Sequence, residues 1–168
     1  MMYTTILLAA ALQKWERYSA HALAARDVAA ALAKGASQHL HVLSVYDYPP
    51  LPMGYLPAEI ASRHQDDLWR RTDTLMVQKM DTYVAPLHAE GLQITPILRT
   101  GNPRDIIVHV ATTIKAELLI LGSHSKRGLL DIALGGTAQQ VGKSAPCLVV
   151  LVSPKLERGG RERGVEDT

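Results

Sequence analysis

The clearest strand of the sequence is Glu117-Leu118-Leu119-Ile120-Leu121-Gly122. A glycine-bearing segment at 123–134 follows it, and a helix is predicted at about 135–144. The next apolar run, Cys147-Leu148-Val149-Val150-Leu151-Val152, comes directly after that helix. Continuous apolar runs joined through a helix are typical of parallel strands that are buried on both faces. This stretch therefore predicts a β-α-β unit of a parallel sheet covered by helices.

The same alternation extends back to the start of the chain. Further strands are predicted at 4–10, 40–46 and 92–98, and further helices at 20–34, 58–89 and from Pro103. On the long helix, Pro86 lies near the end and is expected to kink or end it. The helical period predicts one buried stripe, made of Leu68, Leu75, Met76, Met80, Tyr83, Val84 and Leu87. Pro96 favours an edge strand or a bulge, because proline has no N–H for a sheet ladder.

The order of these elements is β-α-β-α-β-α-β-α-β. It predicts an α/β fold with a five-stranded parallel sheet, doubly wound, with helices on both faces. We expect one domain over residues 1–153 and a charged, flexible tail over 154–168. Ligands of such folds bind outside the carboxyl ends of the strands, near the point where the strand order reverses. The loops after Ala10, Val45, Leu98 and Leu121 are therefore the candidate binding loops.

Composition argues against several classes of protein. The 168 residues are 47% apolar and 20% charged, which is ordinary usage for a globular domain. Lys and Arg total 18 against 16 Asp and Glu, and a net charge of +2 argues against a strongly basic nucleic-acid binder. The single cysteine, Cys147, can form no internal disulfide, which favours a reducing compartment. No apolar run reaches the ~18 residues of a membrane span and no secretory signal is recognised, so a soluble, cytoplasmic protein without membrane insertion is expected.

The segment after the clearest strand carries the groups of a phosphate site. Gly122, Gly135 and Gly136 allow the main chain to approach a ligand closely, and free N–H groups at a helix start bind anions. Further donors and positive charges come from Ser123, Ser125, Lys126, Arg127 and Thr137. Alternatively, the glycines only shape a turn and the charges are solvated. His124 either donates to a phosphate or lies in solvent, and Asp131 either caps local main chain or binds Mg²⁺ with a nucleotide.

Other motifs fail on their context. Gly142-Lys143-Ser144 is similar to the end of a P-loop, yet it precedes a strand, whereas a P-loop follows a strand and opens a helix. Gly122-Ser123-His124-Ser125 does not match the G-x-S-x-G of a hydrolase nucleophile. His39 and His41 point to one face of a strand but are too few for a metal site. No catalytic residue and no metal ligand is therefore predicted, and Cys147 is interpreted as a structural thiol.

At the same glycine-bearing loop the sequence resembles a known family. Gly122-Ser123-His124-Ser125, nine further residues, then Gly135 and a small residue are similar to the G-x-x-G-x(9)-G-[ST] signature of the universal stress protein family. The likeness extends to the Gly101-Asn102-Pro103 turn and to the strand that ends near Val45, and it covers essentially residues 3–153. The resemblance implies a Rossmann-like fold of the adenine-nucleotide alpha hydrolase-like type.

The resemblance also implies a binding site for an adenine nucleotide. Its phosphates and ribose would face Gly122, Gly135, Gly136 and Thr137. The donors and charge of the loop itself add Ser123, His124, Ser125 and Lys126 to the predicted binding residues. Val45 would line the adenine pocket. Three positions depart from the family pattern. Ser125 stands for the second signature glycine, Gly136 stands for the small hydroxyl residue, and an ungapped match puts Ala11 where the family usually has an aspartate.

For function, the resemblance implies a stress-response or signalling module that binds ATP or AMP, with Mg²⁺ as a candidate companion of ATP. We expect little or no turnover, at most slow ATP hydrolysis, because no general base or nucleophile is evident. The last strand, Cys147 to Val152, is expected to pair with its copy in a homodimer, since an open apolar edge invites aggregation. The alternative is a nucleotide-free dimeric interaction or scaffold protein of the same fold, which Ser125 and Ala11 favour.

Overall fold

A computed structural model describes residues 3–13, 17–36, 39–50, 57–122 and 135–154. Within these ranges the strands are β1 (Ile6–Ala9), β2 (His39–Tyr46), β3 (Gln93–Thr100), β4 (Leu118–Gly122) and β5 (Leu148–Val152). The helices are α1 (Ala20–Lys34), α2 (Ala58–Ala89), α3 (Pro103–Thr113) and α4 (Gly136–Ser144). The predicted alternation of strands and helices is confirmed. The segment 123–134 and, apart from Pro154, the predicted tail lie outside the described residues.

The strands form one parallel sheet in the order β3-β2-β1-β4-β5. From β1 the chain first adds β2 and β3 on one side, then crosses over and adds β4 and β5 on the other. Ile6 of β1 is in register with Leu40 of β2 and with Leu118 of β4. The strand order therefore reverses at β1, and the predicted doubly wound, five-stranded parallel sheet is confirmed.

The central strand β1 is buried on both faces, which explains its continuous apolar sequence. Ile6 and Leu8 belong to the core that packs under α1 and α2, and both are 0% exposed. Leu7 lies on the opposite face, in the core shared with α3 and α4, and is also 0% exposed. Burial of both faces is the general reason why strands of such sheets lack the alternation of polar and apolar residues.

Two helices that begin at the carboxyl edge of the sheet, α1 and α3, start with a side-chain cap. The Ser19 hydroxyl accepts a hydrogen bond from the N–H of Ala22 in the first turn of α1 (3.1 Å). The Asn102 side chain accepts from the N–H of Arg104 in α3 (3.0 Å), and Pro103 occupies the predicted first position. α4 starts after Gly135, where the described residues provide no side-chain cap.

The long helix α2 corrects one prediction and confirms another. Leu75 was expected in the buried stripe, but it is 47% exposed. The stripe contains Thr72, Met76, Met80, Tyr83, Val84 and Leu87. Leu75 precedes Met76 by one position and is therefore rotated by about 100° from that stripe. The predicted bounds of the helix, 58–89, are confirmed, and Pro86 lies in its last turn, where its carbonyl still accepts from the N–H of Glu90 (3.2 Å).

The remaining expectations concern the two ends of the sheet. Pro96 lies in β3, which pairs with β2 alone, so its assignment to an edge strand is confirmed. Gly142-Lys143-Ser144 forms the end of α4 ahead of β5, which confirms that it is no P-loop. None of the helices in the described ranges combines the length and the apolar content that a membrane span requires.

Candidate functional site

A cavity of about 240 Å³ opens at the carboxyl edge of the sheet, beside the point where the strand order reverses. It is formed by the ends of β1, β2 and β4 and by the first turns of α1, α3 and α4. The described residues that line it are Ala9, Ala10, Ala11, Ser19, His21, Ala22, Leu43, Val45, Pro103, Ile107, Leu121, Gly122, Gly135, Gly136, Thr137 and Ala138. This is the place where a doubly wound fold is expected to hold a ligand.

The cavity brings together the predicted site residues that the structure describes. These residues are Ala11, Val45, Gly122, Gly135, Gly136 and Thr137. They come from four separate segments of the chain, so the fold, rather than one loop, assembles them. Ser123, His124, Ser125 and Lys126 lie outside the described residues, as does Asp131. Contact of any of these residues with a ligand stays a prediction.

The sequence did not indicate several residues that line the cavity. Ser19 and His21 come from the start of α1, and Pro103 and Ile107 come from the start of α3. Both helices follow loops that were recognised as candidate binding loops. The sequence contains no sign of which side chains on those first turns face inward, because that depends on how each helix packs on the sheet.

Gly122 at the end of β4 is required by a close approach of two main chains. A Cβ atom at this position would lie 2.9 Å from the carbonyl oxygen of His21 and 3.0 Å from its carbonyl carbon. Real Cβ atoms do not approach main-chain atoms this closely, so a side chain here would push α1 away from β4. The glycine therefore brings the first turn of α1 to the wall of the cavity.

The loop after β1, where Ala11 lies, is held on two sides. The N–H of Ala10 donates to the carbonyl of Leu43 in β2 (2.9 Å), which extends the sheet past the end of β1. On the other side, Lys79 of α2 donates from Nζ to the carbonyl oxygens of Leu12 (3.0 Å) and Gln13 (3.3 Å). Ala11 is exposed at the cavity and presents only a methyl group there.

The described lining is apolar with few polar groups and carries no carboxylate. His21 is its one titratable side chain, and Ser19 and Thr137 supply hydroxyl groups. Cys147 lies outside this lining, and burial raises the pKa of its thiol, so its thiolate is disfavoured at neutral pH. The chemistry of the lining suits binding of a partly apolar ligand better than acid–base or nucleophilic catalysis.

Apart from the cavity, a cluster of polar side chains lies at the end of β2, on the opposite face of the sheet. The Tyr46 and Tyr48 hydroxyls both donate to Oδ1 of Asp73 in α2, at 2.7 and 2.9 Å. Burial first, and then the Asp73 carboxylate, raise the pKa of Tyr46. Tyr48 also stacks on Trp69, with ring centroids 4.8 Å apart. The cluster fixes the end of β2 to α2 and contributes nothing to the cavity lining.

The reversed strand order, the two helix layers and the cavity at the switch point define an α/β domain of the adenine-nucleotide alpha hydrolase-like type. A sequence model of the Universal stress protein family matches residues 2–153. The chain belongs to the universal stress protein family, which confirms the resemblance found at the glycine-bearing loop.

Individual relatives agree with this assignment. Universal stress protein MJ0531 of Methanocaldococcus jannaschii is 31% identical over 121 residues, which are 69% of this chain and 67% of the relative. Among solved structures, the protein MJ0577 is 25% identical, with a TM-score of 0.70 over 93% of this chain and 99% of that one.

Two further solved structures share the fold and were determined with a nucleotide. A universal stress protein in complex with cAMP is 22% identical, with a TM-score of 0.57, and the match covers 92% of this chain and 100% of that one. A universal stress protein family protein from Arabidopsis thaliana with AMP bound is 17% identical, with a TM-score of 0.59, over 95% of this chain and 97% of that one.

Proposed function

We propose that the chain binds an adenine nucleotide, ATP or AMP, in the cavity at the switch point, and acts as a stress-response or signalling module with little or no turnover. The observation that carries this proposal is the position of the cavity. It lies between the ends of β1 and β4, where residues of the family signature, Gly122, Gly135 and Gly136, meet. The AMP and cAMP complexes of proteins with the same fold support the choice of ligand.

The apolar part of the cavity fits the adenine base. Leu43 and Val45 of β2 and Leu121 of β4 provide side chains without charge at the carboxyl ends of the two strands that flank β1. An aromatic base buried against such side chains loses contact with water at little cost, because few of its atoms need a charged partner. Polar selectivity for the base edge would come from main-chain groups of the same strand ends.

The start of α4 fits the ribose and phosphates. Gly135 and Gly136 expose main-chain N–H groups, and Thr137 adds a hydroxyl at the same place. The positive end of the helix dipole and its unpaired N–H groups favour an anion there. Since no described side chain caps this helix, the first N–H groups remain available to a ligand.

The same residues do not fit a divalent metal ion. Mg²⁺ in proteins is bound through one or two carboxylates together with phosphates and water. The described lining of the cavity contains no Asp or Glu, and Ala11 brings a methyl group to the end of β1. We therefore propose nucleotide binding through this chain's own donors and derive no step through Mg²⁺.

A nucleotide-free interaction protein is the second candidate. The observation that favours it is the methyl group of Ala11 at the cavity, because the ribose then finds no carboxylate there. In that case the cavity would bind no nucleotide, and the surface that contacts a partner protein would lie elsewhere on the fold.

Homodimer formation through β5 is also proposed, for either function. β5 is an edge strand, and Leu148 at its start is 55% exposed. Three further apolar residues, Val149, Val150 and Leu151, are only partly buried. A second copy would cover this edge and so remove an aggregation-prone surface.

Calorimetric titration of the full chain with AMP and ATP tests the nucleotide proposal. Ala11→Trp adds bulk at the cavity from an exposed position and should abolish binding, whereas Ala31→Trp, on the exposed face of α1 away from the cavity, should not. No binding by the wild type at millimolar nucleotide, with no nucleotide co-purified, would instead establish the nucleotide-free function.

A further inference from the structure

Arg104 lies beside the cavity, against Gly136 of its lining, and pairs with no carboxylate among the described residues. It is the second residue of α3, held there by the Asn102 cap and by Pro103, which lines the cavity. The ion pairs among the described residues join Arg26 to Asp27, Lys34 to Glu90 and Arg71 to Asp67, and none includes Arg104. The Arg104 guanidinium is thus an exposed cation that no described carboxylate neutralises.

The guanidinium of Arg104 lies over the start of α4. A Cβ atom placed on Gly136 would be 2.6 Å from Nη2 and 3.4 Å from Cζ of Arg104. The space that a side chain at position 136 would fill is therefore occupied by the arginine. Gly136 both exposes the main chain of α4 and admits this cation from α3.

This arrangement is electrostatically unfavourable without an anion. The first turn of a helix is the positive end of its dipole, so a cation there is destabilising by a few tenths of a kcal/mol or more. Arg104 lies in the first turn of α3 and against the first turn of α4. Asp105 is the one acidic residue in the first turn of α3, and the start of α4 has none. A phosphate placed between them would attract both the guanidinium and the N-terminal ends of the two helices, and would so offset this repulsion.

We propose that Arg104 binds the phosphates of the nucleotide and sets the preference of the site for a longer phosphate chain. The proposal rests on the proposed function, because it names the part of the ligand that Arg104 contacts. A guanidinium pairs with phosphate oxygens through charge-assisted hydrogen bonds, which are stronger than neutral ones. Arg104 then takes the place of a bound cation as the countercharge of the phosphates, which agrees with the lack of described carboxylates in the lining.

The test is calorimetric titration of the full chain with adenosine, AMP and ATP in the absence of Mg²⁺. Arg104→Met keeps an apolar stem and removes the charge. We expect it to weaken ATP binding at least about tenfold, AMP binding less, and adenosine binding by less than about twofold. Arg63→Met removes the same charge from the exposed surface of α2, which contributes no described residue to the cavity, and should change none of the three affinities.

A second variant examines the contact between Arg104 and Gly136. In the wild type, Gly136→Ala places a methyl group where the guanidinium lies and should weaken ATP binding. In the Arg104→Met background the same change should have little further effect, since the charge is already gone. Equal losses in both backgrounds would contradict the proposal.

The remaining outcomes separate this proposal from the proposed function. Unchanged ATP affinity in Arg104→Met, or an equal loss for adenosine and ATP, overturns the phosphate role while leaving nucleotide binding intact. If the wild type binds no nucleotide, the proposed function fails, and tripolyphosphate is used as the probe instead. If Arg104→Met then binds tripolyphosphate tenfold more weakly than the wild type, Arg104 is still an anion-binding residue. If the wild type does not bind tripolyphosphate, the proposed role of Arg104 is overturned as well.

Discussion

The side chain of Gln13 pairs with the main chain of Asp47 in the way that one strand pairs with another. Its Nε2 donates to the Asp47 carbonyl oxygen (2.5 Å), and its Oε1 accepts from the Asp47 N–H (2.9 Å). The two residues belong to the loops after β1 and β2, of which the first lines the cavity with Ala10 and Ala11. A single side-chain amide thus continues the β1–β2 connection beyond the ends of both strands and holds the two loops at a fixed separation.

Replacing Gln13 by Leu removes both hydrogen bonds. Because the pair is partly exposed, we expect a loss of about 1 kcal/mol in unfolding free energy, which corresponds to about 2–4 °C in melting temperature. Amide exchange at Asp47 should accelerate, since its N–H loses its acceptor. Gln78→Leu, on the exposed face of α2, serves as the control and should stay within about 0.5 kcal/mol of the wild type. Unchanged exchange at Asp47 would show that the loops are held by other contacts.

Two glycines offer a matched test of close packing. Gly122→Ala puts a methyl group 2.9 Å from the His21 carbonyl oxygen, and we expect it to lower the unfolding free energy by about 1–3 kcal/mol. Gly142→Ala, inside α4, meets no described atom within 4 Å and should raise it by about 0.5–1 kcal/mol. Urea denaturation measures both. If Gly122→Ala did not lower the unfolding free energy, the close approach of α1 to β4 would be refuted.

His41 makes the stability of the fold depend on pH. Burial first, and then the positive charge of the stacked His39, lower the pKa of His41 below its usual 6.5, and its Nδ1 has no hydrogen-bond partner among the described residues. The unfolded chain therefore takes up a proton near pH 6.5 that the folded chain takes up only at lower pH. Stability is full above that pH and is lost as the pH falls from 6.5 toward the lowered pKa.

Denaturation curves between about pH 7.5 and about pH 5.5 check this dependence. His41→Gln should flatten the decline in stability toward acid, because the group that titrates differently in the two states is gone. His109→Gln, at an exposed position on α3, should leave the decline unchanged. An equally steep decline in His41→Gln would assign the acid sensitivity to other groups.

The exposed edge of β5 allows the proposed homodimer to be tested with a single substitution. Leu148→Lys places a charge on the strand edge and should convert a dimer into monomers in sedimentation velocity at micromolar concentration. Its melting temperature should change little beyond the effect of dissociation, because Leu148 is 55% exposed in the monomer. Leu32→Lys, at a 38% exposed position on α1, should leave the dimer intact. A monomeric wild type would refute the proposed dimer.

Much of the fold was predictable because its signals are local. The Gly101-Asn102-Pro103 turn and the continuous apolar runs each act over a few residues, and the elements that they indicate start and end close to the predicted positions. The burial of Leu75 was predicted wrongly because it depends on contacts with distant parts of the chain. A helical period marks several overlapping stripes on a long helix, and only packing against the sheet decides which stripe is buried.

The candidate site was predictable only in part, for a related reason. Residues directly at strand ends, such as Val45 and Gly122, reach the cavity wherever the neighbouring helices lie. His21 and Pro103 reach the cavity through the first turns of helices, and their positions depend on how α1 and α3 pack. The sequence did not indicate that the space beside Gly136 is filled, because the Arg104 side chain that fills it comes from another helix.

The central position of β1 has a consequence for how the chain folds as it is synthesised. The carboxylate of Glu117, just before β4, accepts hydrogen bonds from the main chain and side chain of Thr4, 113 positions earlier. β1 can pair with β2 early. Its other edge has no partner until β4 leaves the ribosome, and Leu7 on one of its faces stays uncovered until α3 and α4 are made. The first strand to be made is thus among the last to be completed, and the growing chain exposes an apolar strand edge for most of its synthesis.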